Sequence, residues 1–164
     1  SKKVRPGFVL AYAAAQGLAL GTISKMYESA YQGIVGQAVV ATGCAFAGVL
    51  VAYKSGKIRV TPKFTKVLMT ALIGYLVLGL VSFVSSLITG TSIYNVGGLG
   101  LIIATGGMVL AAFFLILDFD SIQKGIAAGA PESESWRAAF GLMVTIVWLY
   151  LEVLRVLSIL RGND

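Results

Sequence analysis

Mostly apolar runs of about twenty residues recur five times along the chain. They cover residues 6–23, 33–53, 67–88, 98–117 and 138–160. A helix needs about 20 mostly apolar residues to cross a hydrocarbon core about 30 Å thick. Each run therefore predicts one membrane-spanning helix, and together they predict an all-α polytopic bundle forming a single integral membrane domain over 1–164. Residues 25–32 are polar, and 54–66 carry five basic residues and Pro62. Residues 89–95 make a short polar turn, and 118–137 are charged and contain Gly129 and Pro131. No two runs read as a repeat. The first four have no ionisable group in their interiors, whereas the fifth holds Glu152 and Arg155.

The distribution of Lys and Arg between the breaks sets an orientation. The N-terminal stretch (Lys2, Lys3, Arg5), the second break (Lys54, Lys57, Arg59, Lys63, Lys66) and the fourth (Lys124, Arg137) hold ten of the thirteen basic residues. Lys25, Arg155 and Arg161 fall on the other side. The expected topology is a cell-membrane protein with its N-terminus, second and fourth connections in the cytoplasm and its C-terminus outside. Lys2, Lys3 and Arg5 before an apolar run also suit a secretory signal. Four more runs follow without a clear cleavage site, which favours a membrane helix.

Composition narrows the chemistry. Hydrophobic residues make up 57% of the 164, charged residues only 12%, and mean hydropathy is +0.88. Soluble domains carry about twice that share of charge. The chain has no histidine, which removes His-ligated zinc, His-based triads and His proton shuttles; its one cysteine, Cys44, leaves no internal disulfide. The net charge of +6 is accounted for by topology, and no basic stretch is interleaved with stacking aromatics as a nucleic-acid site would require.

Small residues recur at helical spacing: Ala13, Gly17 and Gly21; Cys44 and Gly48; Gly107 and Ala111. Such stripes let membrane helices approach closely, and packing within the chain is expected before homodimerisation. Gln16 and Gln37 are expected to hydrogen-bond neighbouring helices. Tyr53 and Trp136 suit the interfacial belt, while Tyr12, Tyr75 and Trp148 are expected inside.

The informative residues are acidic. Asp118 and Asp120 stand two apart and so point about 200° from each other on a helix. Asp118, directly after Leu115–Leu117, is the one expected to turn inward; Asp120 is expected near headgroups or water. Glu152 lies ten residues before Gly162, well inside the last run, where an ionisable group costs about 3 kcal/mol or more and marks a functional site by default. Two partners compete for it. Arg155 is one turn on, and that pair needs no function. Asp118 would approach if the last two helices form an antiparallel hairpin. Two carboxylates in a low-dielectric site cannot both ionise cheaply, so they could share a proton or hold a hard cation such as Ca²⁺. No other cofactor is expected. Intramembrane serine proteolysis lacks its histidine, and aspartyl proteolysis lacks a glycine beside Asp118, so no enzyme is expected.

These residues carry a resemblance. VLAYAAAQGLALGTIS (9–24), RVTPKFTKVLMTALIGYLVL (59–78), LDFDSI (117–122) and WLYLEVLRVLSILRG (148–162) resemble the Bax inhibitor-1/YccA family, most closely its actinobacterial-type branch. The resemblance implies a bundle of seven helices with the seventh in the middle, of which this chain would hold the last five. It implies a pH-sensitive Ca²⁺ leak gated by two carboxylates, one in each of the last two helices. Asp118, followed by Ile122, matches the first. Aligned on Tyr150–Glu152, Glu152 takes the second position; aligned on Gly162, it falls one turn away. Arg155 and Asp120 are expected in supporting roles. A regulatory or assembly subunit of a membrane complex, such as a protease or respiratory assembly, is the alternative, and a small-solute transporter a third.

Overall fold

The computed structural model describes residues 6–56, 60–91, 98–129 and 131–162, and every regular element in them is helical. Lys2, Lys3, Arg5, Lys57, Arg59 and the 92–95 part of the expected polar turn lie outside the described residues. Helix α1 runs Pro6–Ala30, α2 Ile34–Lys54, α3 Pro62–Thr89, α4 Leu99–Ala127 and α5 Glu132–Gly162. All five are long and apolar enough to cross a membrane.

The helices outrun the apolar runs that announced them. Of the stretch 118–137, expected as a charged connection, residues 118–127 and 132–137 are helical, with a turn at 128–129. Asp118 and Asp120 therefore sit within α4 rather than at its end. Lys124 belongs to the last turns of α4, and Arg137 to the second turn of α5. Hydropathy marks where a helix meets hydrocarbon, not where its hydrogen bonding stops. The extension of α4 is composed of residues that tolerate helix and carries an i,i+4 ion pair, Asp120–Lys124, at 2.8 Å.

The helix ends explain the turns. Gly33 enters α2 with φ +81°, a left-handed conformation that costs glycine little. The Glu28 carboxylate accepts from the Gly33 N–H at 2.6 Å and the Val35 N–H at 3.1 Å, satisfying two donors that the start of a helix leaves open. Thr61 caps α3 by accepting from the Phe64 N–H at 3.1 Å, with Pro62 at the first helical position, where its missing N–H costs nothing.

Helices α4 and α5 form an antiparallel hairpin packed along its length, α2 closes against both, and α1 lies on α5 and α2. By backbone proximity α3 rests on α4 alone. The core is at the α2–α4–α5 junction, where Ile34, Ala111, Leu115, Leu149 and Leu154 are sealed from solvent. Outward faces are apolar: Phe8, Leu18, Ile73, Phe83, Leu87 and Ile88 are all largely exposed. In water such surface would be a liability; a bilayer provides a matching solvent, and the chain is a multi-pass membrane protein.

The small-residue stripes divide. Added Cβ atoms at Gly17, Gly21 and Gly48 would meet nothing within 4 Å, and Cys44 is exposed, so close packing within the chain does not use them. Gly107 and Ala111 do lie at a helix contact. Gln16 and Gln37 make no hydrogen bond to a neighbouring helix among the described residues, and Gln37 is exposed. Tyr12 is also partly exposed, tilted against Phe140 with ring centroids 4.8 Å apart.

Candidate functional site

The acidic residues are distributed along the seam between α4 and α5. Asp118 faces Gly141 of α5: a Cβ built there would stand 3.9 Å from its Oδ1. Thr145, one turn further along α5, also reaches Asp118, while its hydroxyl donates to the Gly141 carbonyl oxygen at 3.0 Å. The Asp118 Oδ2 is buried and has no hydrogen-bond partner among the described residues. The Asp118 residue borders a cleft of about 360 Å³ whose lining includes Ser121, Gly125, Pro131, Ser135 and Arg137. The cleft thus lies toward the α4–α5 turn.

Glu152 occupies a separate place. Thr145 to Glu152 is seven residues, about 10 Å along α5 and nearly the same helical face. The two carboxylates therefore lie two turns apart on one seam and do not form the close pair that an antiparallel hairpin could have given. Glu152 is 4% exposed. Its Oε1 accepts from the Tyr75 hydroxyl and from Arg155 Nη1 at 3.4 Å. Its Oε2 is buried and makes no hydrogen bond of ordinary geometry among the described residues, although the Trp148 side chain reaches the carboxylate. Of its two candidate partners, Arg155 is beside it and Asp118 is not.

Tyr75 is the residue that sequence reasoning missed. It belongs to α3, yet its hydroxyl reaches a carboxylate on α5, with α4 between them. Gly107 makes that crossing fit: a Cβ there would stand 2.6 Å from the Tyr75 hydroxyl oxygen and under 3 Å from two ring carbons. Trp148 packs against Tyr75 and Phe114, with ring centroids 5.9 and 5.5 Å apart, so the hydroxyl that meets the carboxylate belongs to an aromatic cluster. Gly107 was visible as part of a small-residue stripe. Nothing in one sequence linked it to a tyrosine on another helix.

Asp120 points away from this seam, toward α2, as the two-residue spacing requires. Its Oδ1 accepts from the Tyr53 hydroxyl at 3.2 Å and its Oδ2 pairs with Lys124 at 2.8 Å. Tyr53 also donates to Gln123 Oε1 at 2.6 Å. Asp120 is therefore neutralised locally and supports the α2–α4 contact rather than Asp118. Among the described residues no three acidic or thiol side chains cluster as a metal site.

A buried carboxylate oxygen without a partner is costly. A proton on it, or a cation beside it, relieves that cost. Asp118 and Glu152 each present one such oxygen, and the cleft borders Asp118. No curated protein and no solved structure matches the chain. Residues 1–162, which span all five helices and both carboxylates, match the family described as Bax inhibitor 1 like. The chain belongs to that family.

Proposed function

We propose that this chain forms a cation leak pathway in the cell membrane, with Ca²⁺ as the expected cargo, gated by protonation of Asp118 and Glu152. The supporting observation is that Asp118, whose buried Oδ2 has no hydrogen-bond partner among the described residues, borders the α4–α5 cleft. An ionised Asp118 would attract a cation through the cleft; a protonated one would become a hydrogen-bond donor and lose that attraction. Glu152 lies farther along the same seam, so an ion would meet the carboxylates in succession. The basic residues around the second and fourth connections favour placing the cleft mouth on the cytoplasmic side.

The test is flux into liposomes holding the purified full chain, measured between about pH 6 and about pH 8, a range that buried carboxylates can reach. Flux should vary with pH in the wild type, and Asp118→Asn should flatten the profile. If Asp118→Asn leaves both flux and its pH dependence unaltered, the gate is elsewhere. Stoichiometric co-purification with a larger membrane complex, without flux from the isolated protein, would instead support the regulatory or assembly reading.

A further inference from the structure

A second cavity lies on the other side of α4. It is an open groove of about 730 Å³ between the C-terminal end of α2, Val60 just ahead of α3, and the last turns of α4. This is within the size range of small-molecule sites, about 300–1,000 Å³. One wall is apolar, formed by Leu50, Val60, Phe119, Ile122 and Ile126. The polar groups beside it are largely committed to one another. Tyr53 donates to Asp120 and Gln123, and Asp120 is paired with Lys124. Lys54, which also lines the cavity, is exposed, and none of the ion pairs among the described residues includes it.

Location decides what can enter. Lys54 ends α2, where the apolar run gives way to the chain's most basic stretch, so the cavity lies at the boundary between hydrocarbon and headgroups. Among the described residues this end carries Lys54, Lys63, Lys66, Lys124 and Arg137, with Asp120 already paired to Lys124 and Glu134 to Arg137. A ligand suited to both walls needs a hydrocarbon chain and an anionic head. Basic pockets between membrane helices bind anionic headgroups in this way.

We propose that this cavity is a binding site for an anionic phospholipid of the adjoining leaflet. An acyl chain lies along Leu50, Phe119 and Ile122, and the phosphate is held by Lys54. The α2–α4 contact at Tyr53 and Asp120 forms the floor of the site.

Binding to the purified full chain in detergent, followed by native mass spectrometry, tests this with dioleoylphosphatidylglycerol and dioleoylphosphatidylcholine at equal mole fraction. The wild type should favour the anionic lipid by about five-fold, the worth of one well-placed lysine. Lys54→Gln should remove that preference. Lys63→Gln, an exposed lysine at the same end but outside the cavity lining, should largely retain it. Val60→Trp, which fills the apolar wall, should lower occupancy by both lipids. Equal binding of the two lipids by the wild type overturns the proposal. So do equal losses in Lys54→Gln and Lys63→Gln, which would mean general surface attraction, and unaltered occupancy in Val60→Trp. Displacement of the lipid by glycerol phosphate alone would also overturn it, because the site would then recognise a soluble anion.

Discussion

Replacing Gly107 by alanine would put a methyl carbon 2.6 Å from the Tyr75 hydroxyl oxygen and 2.8 and 2.9 Å from two of its ring carbons. Carbon contacts are comfortable at about 3.5–4.0 Å, so the ring has to retreat by about 1 Å. That retreat pulls the hydroxyl from Glu152, whose other partner on the same oxygen is Arg155 at 3.4 Å. Leaving a buried acceptor short of its donor costs about 1–3 kcal/mol. Alanine returns up to about 1 kcal/mol of helix propensity. The clash wins, and Gly107→Ala should destabilise the folded chain by about 1–2 kcal/mol. In a Tyr75→Leu background the added methyl has no hydroxyl to displace, so the same substitution should be neutral or stabilising. A double-mutant cycle by reversible unfolding in detergent measures the difference, and coupling above about 0.5 kcal/mol lies outside ordinary additivity error. Equal effects of Gly107→Ala in the two backgrounds would refute the proposed crossing of α4 by Tyr75.

Tyr75→Phe keeps the ring packing against Trp148 but removes the donor, and should cost about 1–3 kcal/mol in the same unfolding measurement; no loss would mean that Glu152 does not depend on this bond. Thr61→Ala should cost about 1 kcal/mol through the lost cap on α3, whereas Thr61→Ser should be close to wild type. Gly33→Ala forces a side chain into φ +81° and should cost about 1–2 kcal/mol, with an unchanged unfolding midpoint counting against the left-handed turn. Asp120→Asn keeps an acceptor for Tyr53 and lies off the Asp118 seam, so it should leave the pH profile of liposome flux unaltered where Asp118→Asn flattens it.

Five membrane helices were legible because the bilayer imposes a single length on every crossing, and apolar runs report that length directly. The opposite bearings of Asp118 and Asp120 were legible for a comparable reason: helical geometry fixes the angle between neighbours without reference to the rest of the fold. Helix ends were less so. The segment LDFDSIQKGIA stays helical through Ala127 although it has left the apolar run, since backbone hydrogen bonding continues into the interface while hydropathy falls. The glycine stripes misled on α1 and α2, because spacing shows that a close approach is available and not that a neighbour takes it.

The site was legible in its residues and not in its pairing. That Glu152 needs a partner follows from the cost of a charge in hydrocarbon, and Arg155 at i+3 was one of the two available from sequence. Whether Asp118 was the other depended on the register of α4 against α5, set by how Ala111, Leu115, Leu149 and Val153 interdigitate. That register puts Gly141 opposite Asp118 and leaves Glu152 two turns on. The partner supplied instead, Tyr75, depends on a missing side chain at Gly107 on a third helix, a relation that no periodicity expresses. Its consequence is mechanical as well as electrostatic. By backbone proximity α3 rests on α4 alone, so the bond from Tyr75 to Glu152 ties this outer helix to α5. A change in the protonation of Glu152 would alter both the charge along the seam and the hold on α3. Residue for residue, Gly107 contributes to that coupling by leaving room for it.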